Sequence, residues 1–436
     1  KEKITKMNYL LPENESIRLY NLYPKLIGNM TDWGLHVSRI KEMGFNAIWV
    51  NPFHYAGFSG SMYSPKNYYT FAEMFIDTSS SKTPIEQLKA FIAKCHDNNI
   101  CFIMDLVINH SAIDADLIAE HPEWFKRTAD GKIVNPGAMH DGEWHAWGDL
   151  AEIDNANSPD KDNLWAYWFD MIKYYIEAGV DGFRCDMAYQ VPSELWRYLI
   201  SRARKINNGC LFLAESLGCD FKQVQELSLL GFDYLFNSVK YWDFNSAWGM
   251  EQYNKTSEVA KTIAFPESHD TPRLFEELNG NLQAVKRQLL FSAVFSSGYM
   301  IPTGFEFGFR KRLNVVTTRP SDWEKTDVDL SDFIKKISEI KLNYPVLNIE
   351  KGLEVVDQAN WPNVFCFKRT GPGMKTVFVL MNKDRNNAQN VYIPDVEAIT
   401  GDGPIVDITP ENAFTVVPRN LNYNLKPSEL KIIAQK

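Results

Sequence analysis

At four places along the 436-residue chain, titratable side chains directly follow apolar runs. Asp105 closes the run that begins at Ile100 and leads on to Asn109-His110. Arg184-Cys185-Asp186 ends a second run, Ala214-Glu215-Ser216 a third, and Glu267-Ser268-His269-Asp270 a fourth. A carboxylate beside a buried segment is costly unless it is paired or used. Taken singly, each reads as a helix cap or a structural ion pair. Three or four aimed into one bowl would repel and raise one another's pKa, an arrangement found where acid/base work is done. Glycosidic bond cleavage calls for such a group: a carboxylate nucleophile, a carboxylic acid that stays protonated near neutrality, and a partner for the oxocarbenium-like transition state. Asp105, Asp186, Glu215, His110 and His269 could also ligate zinc or manganese. Against that chemistry, the chain has no HExxH and no histidine pair at i, i+4.

The runs that would position these groups lie at 17–24, 46–52, 100–108, 181–187, 210–216, 232–237, 262–268 and 298–304. They are continuously apolar rather than alternating, as strands buried on both faces should be. Between them lie helical patterns. One starts at Thr83-Pro84 with Glu86 three residues after the threonine, a capping box with proline at the first helical position. Ile85, Leu88, Phe91, Ile92 and Cys95 then repeat at helical spacing. Another pattern runs from about Asp160 to Ala178, with Gly179 as its stop. Eight strands alternating with helices predict a closed (β/α)8 barrel over residues 1–345, its active site at the C-terminal strand ends. About 50 residues after the third strand (111–160) break the rhythm and read as an inserted subdomain. From 346 to 436 the segments VFCFKR, TVFVLMN, NVYIP, FTVVP and LKIIAQ predict a C-terminal antiparallel β-sandwich.

Composition narrows the partners. Hydrophobic residues make up 45% and charged residues 23%, which suits a folded core and argues against disorder. The net charge is −9 and no dense basic stripe occurs, so nucleic acid is an unsuitable main partner. No window approaches ~18 uninterrupted apolar residues, so no membrane-spanning helix is expected. Aromatics reach 13%; Trp124, Trp144 and Trp147 could be sugar platforms, though core packing is the simpler role. Six cysteines without a CxxC pair, several inside apolar runs, favour a reducing, cytoplasmic compartment. An opening at Lys1 rather than Met is equally compatible with a removed leader.

The chain resembles the α-amylase superfamily, glycoside hydrolase family 13. DLVINH (105–110), GFRCDMA (182–188), FLAES (212–216) and ESHD (267–270) look like its four signatures, in order and each at the expected strand end. NPFHYAGFSGSMYSPKNYY (51–69) is similar to the segment after its second strand; the 111–160 insertion would be domain B and the C-terminal sandwich domain C. The resemblance implies Asp186 as nucleophile, Glu215 as general acid/base and Asp270 as transition-state stabiliser. It further implies that Arg184 keeps Asp186 ionised, that Asp105 orients Arg184, and that His110, His269 and Tyr63 hold the reacting sugar. No cofactor would be needed for chemistry. A structural calcium would draw on Asn109 and Asp154, although Tyr189-Gln190 replaces the usual Lys-His of the second signature. HPEWFKRTADGK (121–132) and the stretch from DLAEIDN (149–155) onward are similar to bacterial maltosyltransferases that use maltose phosphate. The implied reaction is retaining cleavage of α-1,4-bonds in α-glucans or maltooligosaccharides. The alternatives are a 4-α-glucanotransferase or maltosyltransferase on the same substrates, and an inactive carbohydrate-binding module. The last is opposed by the presence of Asp186, Glu215, Asp270 and Arg184 together.

Overall fold

All eight apolar runs form parallel strands: β1 Arg18–Leu22, β2 Ala47–Val50, β3 Cys101–Leu106, β4 Gly182–Cys185, β5 Leu211–Ala214, β6 Tyr234–Phe236, β7 Lys261–Ala264 and β8 Gly298–Pro302. They close into a barrel in sequence order, with β1 pairing both β2 and β8. The computed structural model describes residues 11–356 and 360–436. Alternate residues along each strand serve two cores, which is why the runs are continuously apolar. Leu19, Ala47, Trp49, Ile103, Leu213, Tyr234, Ile263 and Met300 fill the barrel interior. Tyr20, Ile48, Val50, Phe102, Met104, Phe183 and Phe212 face outward against the helices.

The helices form where the spacing predicts them. In α1 (Pro84–Asp97), the Thr83 hydroxyl accepts from the Glu86 N–H and the Glu86 carboxylate accepts from the Thr83 N–H, so two otherwise orphan donors are satisfied at once. Leu88, Phe91, Ile92 and Cys95 are its buried face. Helix α2 spans Lys161–Glu177 and buries Leu164, Trp168, Met171 and Tyr175.

The connection after β3 contains a short antiparallel pair, His110–Ala112 with Leu150–Glu152, and a hairpin of Gly137–His140 with Glu143–Ala146. The first pair draws the end of the insertion back beside the His110 strand end.

Seven further strands follow the barrel: β9 Leu353–Val355, β10 Val364–Arg369, β11 Val377–Asn382, β12 Gln389–Ile393, β13 Ile405–Asp407, β14 Leu421–Leu425 and β15 Leu430–Gln435. Five make an antiparallel sheet in the order β9-β10-β11-β15-β13, and β12 pairs with β14 as a separate ribbon. Phe365, Phe367, Val377, Val379 and Ile432 pack on the barrel side, whereas Val364, Cys366, Phe378, Leu380 and Ile433 face the ribbon. The sandwich expected from sequence is therefore lopsided, five strands against two. FTVVP (414–418) is not one of them. The Phe414 N–H donates to Asp407 Oδ2 (2.8 Å) instead of to a neighbouring strand, its ring packs on Tyr423, Val416 is 75% exposed, and Pro418 has no N–H to offer.

Candidate active site

The register of two barrel strands creates the centre of the site. Arg184 on β4 lies directly opposite Asp105 on β3. Both are buried, so a lone charge on either would be costly and the pair forms. Arg184 Nη1 donates to Asp105 at 3.1 Å and 3.3 Å and to Asp186 Oδ1 at 2.7 Å, while Nη2 stands 4.0 Å from Glu215 Oε2. One guanidinium thus serves three carboxylates from the ends of three strands. Asp105 also accepts from Trp49 Nε1 (3.1 Å) and from the Tyr63 hydroxyl (2.8 Å). Asn51 donates to the Tyr63 oxygen (2.9 Å), which fixes that hydroxyl as the donor to Asp105.

Glu215 is held differently. Its Oε2 accepts the backbone N–H of Met187 at 2.7 Å, leaving Oε1 to carry a proton. Met187 has φ +45°, a left-handed conformation that a non-glycine residue adopts only where its surroundings impose it. That backbone turn aims the N–H at Glu215. Burial raises the Glu215 pKa to about 8; Arg184 pulls it down, and the charge of Asp186 pushes it back up. Burial also raises Asp105, against the pull of Arg184. His110 and His269 are lowered by burial, so both are neutral rings near pH 7. His110 Nε2 lies 3.0 Å from the Tyr63 carbonyl oxygen, and the His269 ring stacks parallel to Tyr63 with centroids 5.4 Å apart.

A pocket of about 420 Å³ opens over these groups. Tyr63, His110, Asp186, Met187, Glu215, His269 and Asp270 line it, with Ser61, Trp147, Asp149, Leu150, Tyr189, Val315 and Val316. Asp105 and Arg184 are not among the lining residues and lie beneath them, Arg184 bonded to the lining residue Asp186. Asp270 stands at the mouth, its side chain 63% exposed and Oδ2 3.2 Å from His269 Nε2. Glu267, although at the same strand end, is buried and bonded to Arg273 Nη1 (2.9 Å) and to the Leu274 N–H (2.7 Å), so it is a structural pair.

The three tryptophans of the insertion part company: Trp124 is buried, Trp144 is 58% exposed and Trp147 lines the pocket. Trp49 and Val315-Val316 lie outside every motif, and Met187 and Asn51, though inside the GFRCDMA and NPFHYAG segments, carry no chemistry that would single them out from sequence. The left-handed turn at Met187 and the aim of Trp49 follow from packing between distant strands.

The calcium residues implied by resemblance, Asn109 and Asp154, each hold partners within the protein. The Asn109 amide faces His110 Nδ1 (3.3 Å) and the Met187 thioether (4.0 Å), while Asp154 accepts the Asn157 N–H (3.0 Å). Calcium takes six to eight oxygens, and these two side chains would supply only part of such a set. Among the described residues the His/Cys/Asp/Glu group close enough to share a metal is His121, Glu123 and Asp160, away from this pocket.

Comparison with known proteins agrees with this geometry. The profile of the glycogen debranching enzyme glucanotransferase domain matches residues 11–129. An α-1,4-glucan:maltose-1-phosphate maltosyltransferase of Picrophilus torridus is 25% identical over 86% of this chain and 61% of its own length. A maltogenic α-amylase of Bacillus acidopullulyticus is 23% identical over 81% of this chain and 62% of its own. The chain therefore spans about three-fifths of the length of these relatives. Among solved structures, an α-amylase from Lactobacillus plantarum superposes with TM-score 0.77 at 20% identity, covering 97% of this chain and 99% of that one. An α-amylase from H. orenii gives TM-score 0.78 at 15% identity over 97% and 100%. The chain is thus similar in sequence to maltosyltransferases and a maltogenic α-amylase, and its closed barrel is the fold of the solved α-amylases.

Proposed function

We propose that the protein cleaves α-1,4-glucosidic bonds in α-glucans or maltooligosaccharides with retention of configuration, through a glycosyl-enzyme intermediate. The observation that carries this is one buried guanidinium shared by Asp105, Asp186 and Glu215, with Glu215 raised to about 8. Glu215 is thereby favoured in its protonated form beside Asp186, which is ion-paired with Arg184 at the same pocket, the two carboxyl groups that the retaining mechanism uses. Asp186, whose Oδ1 accepts from Arg184 Nη1 at 2.7 Å, attacks the anomeric carbon. Glu215 gives its Oε1 proton to the departing glycosidic oxygen, and an ester to Asp186 forms as the C–O bond breaks. The resulting Glu215 carboxylate takes a proton from the incoming hydroxyl, which attacks the anomeric carbon from the face the leaving group vacated; Asp186 departs, and the original configuration is restored. Neutral His269 and the mouth carboxylate Asp270 bond sugar hydroxyls, His110, its ring nitrogens turned to the Tyr63 carbonyl and the Asn109 amide, packs against the sugar, and the Tyr63–His269 stack forms an aromatic wall for the ring.

Transfer to a sugar hydroxyl uses the same intermediate, and one feature favours it as the second reading. The pocket wall includes Trp147 and Tyr189, an apolar side that would suit an acceptor sugar better than water. The maltosyltransferase among the relatives agrees with that. We place the protein in the cytoplasm on the burial of Cys95, Cys185, Cys210 and Cys366 as thiols. No helix among the described residues is long and apolar enough to cross a membrane. The deciding experiment incubates purified protein with maltoheptaose, with and without phosphate or maltose phosphate, with Glu215→Gln as the blank. Shorter sugars alone mean hydrolysis; sugars longer than the input mean transfer, with phosphate dependence identifying the donor. No product under any condition refutes both.

A further inference from the structure

Lys25 follows β1 and is only 3% exposed, an unusual place for an ammonium group. Its Nζ donates to the Gly60 carbonyl at 2.7 Å and to the Val316 carbonyl at 2.8 Å. These acceptors belong to different walls of the pocket. Gly60 sits in the loop that presents Ser61 and Tyr63, and Val316 sits beside Val315 in the segment after β8. Gly60 has φ +74°, the left-handed turn through which this loop doubles back, and a Cβ there would meet open space. The electrostatic neighbour of Lys25 is a second cation, Arg319, whose Nη1 also donates to the Val316 carbonyl (2.8 Å). The desolvation of Lys25 is therefore offset by two carbonyls and not by an ion pair, and those carbonyls are the connection between the two walls. One backbone bond, from the Met62 N–H to the Val315 carbonyl (3.2 Å), crosses beside it.

We infer that Lys25 is a positioning residue that clamps the Tyr63 loop to the Val315–Val316 segment and so sets how tightly the pocket grips a sugar chain. It touches no reacting atom and acts through the loops it joins. The inference rests on the proposed glucan activity for its kinetic readout, and on the clamp itself for a second readout that needs no substrate.

The test compares wild type, Lys25→Met and Lys25→Arg. Methionine keeps the length and loses the donors; arginine keeps a charged group able to reach two carbonyls. With maltoheptaose, Lys25→Met should raise KM about tenfold, the size of one lost charge-assisted hydrogen bond, with kcat within about twofold. Amide hydrogen exchange should rise together in 57–64 and 313–319 and stay unchanged elsewhere. Lys25→Arg should restore both. A general loss of stability would lower the active fraction without this split between KM and kcat. Unchanged KM, or unchanged exchange in either segment, overturns the inference. Wild type inactive on maltoheptaose refutes the proposed activity instead, and exchange alone then decides the clamp. Should Lys25→Met fail to fold, Lys25→Gln, with one short amide, gives the same comparison.

Discussion

Replacing Asp105 with asparagine tests the layer beneath the pocket without touching a residue that lines it. Asp105 receives Arg184 Nη1 on both oxygens and, on Oδ2, the Trp49 indole and Tyr63 hydroxyl as well. Asparagine keeps one acceptor oxygen and places an NH2 where the other stood. Whichever way the amide is turned, at least one buried donor is left without a partner, costing about 1–3 kcal/mol. Arg184 also loses its charged partner on β3 and leans on Asp186 and Glu215 alone. A tighter hold on Asp186 makes it a weaker nucleophile, and a stronger pull on Glu215 favours its ionised, non-donating form. We expect kcat to fall about 30–300-fold, equivalent to about 2–3.4 kcal/mol of transition-state stabilisation, with KM changed less than about threefold. Initial rates of reducing-sugar release from maltoheptaose near pH 6 give the kinetics, and thermal unfolding in parallel gives the stability cost. A kcat within about threefold of wild type while the melting temperature falls would refute the reasoning, since Asp105 would then only support the barrel. A rise confined to KM would refute it as well.

Two further outcomes follow from the same geometry. Because Glu215 must donate a proton and its pKa is raised to about 8, kcat/KM should be level just below that value and fall about tenfold per pH unit above it; Glu215→Gln should abolish this alkaline limb and lower the rate about a thousandfold, and an alkaline limb surviving in that variant would show the proton comes from elsewhere. Because no step of the proposed mechanism uses a metal ion, dialysis against a chelator should leave kcat unchanged, and a loss of kcat reversed by added calcium would contradict the account.

The barrel was legible because its strands are buried on both faces, which writes continuous apolar runs into the sequence. Asp186, Glu215 and Asp270 were legible because the C-terminal end of each run is where the fold turns side chains toward a common bowl, and Asp105 and Arg184, buried beneath it, because they are charged residues within apolar runs. The features that stayed hidden depend on contacts across the sequence. FTVVP has strand-forming residues, but whether it pairs is decided by the Asp407 carboxylate that takes the Phe414 N–H. Glu267 looks no different from Asp270 in the sequence, yet Arg273 claims it. The left-handed turn at Met187 and the burial of Lys25 against two loops leave no local pattern at all. They arise from closing the barrel, after which the chain must satisfy whatever groups the closure has buried.

The central claim is that Asp186 forms a covalent bond to the sugar while Glu215 handles the proton. Incubating Glu215→Gln with α-maltosyl fluoride, whose fluoride departs without needing a proton, separates the two roles. Digestion followed by mass spectrometry should find one maltosyl unit esterified to the peptide containing Asp186, absent when Asp186→Asn is added to the same variant. Product released without any adduct, or a maltosyl group on another residue, would contradict the account.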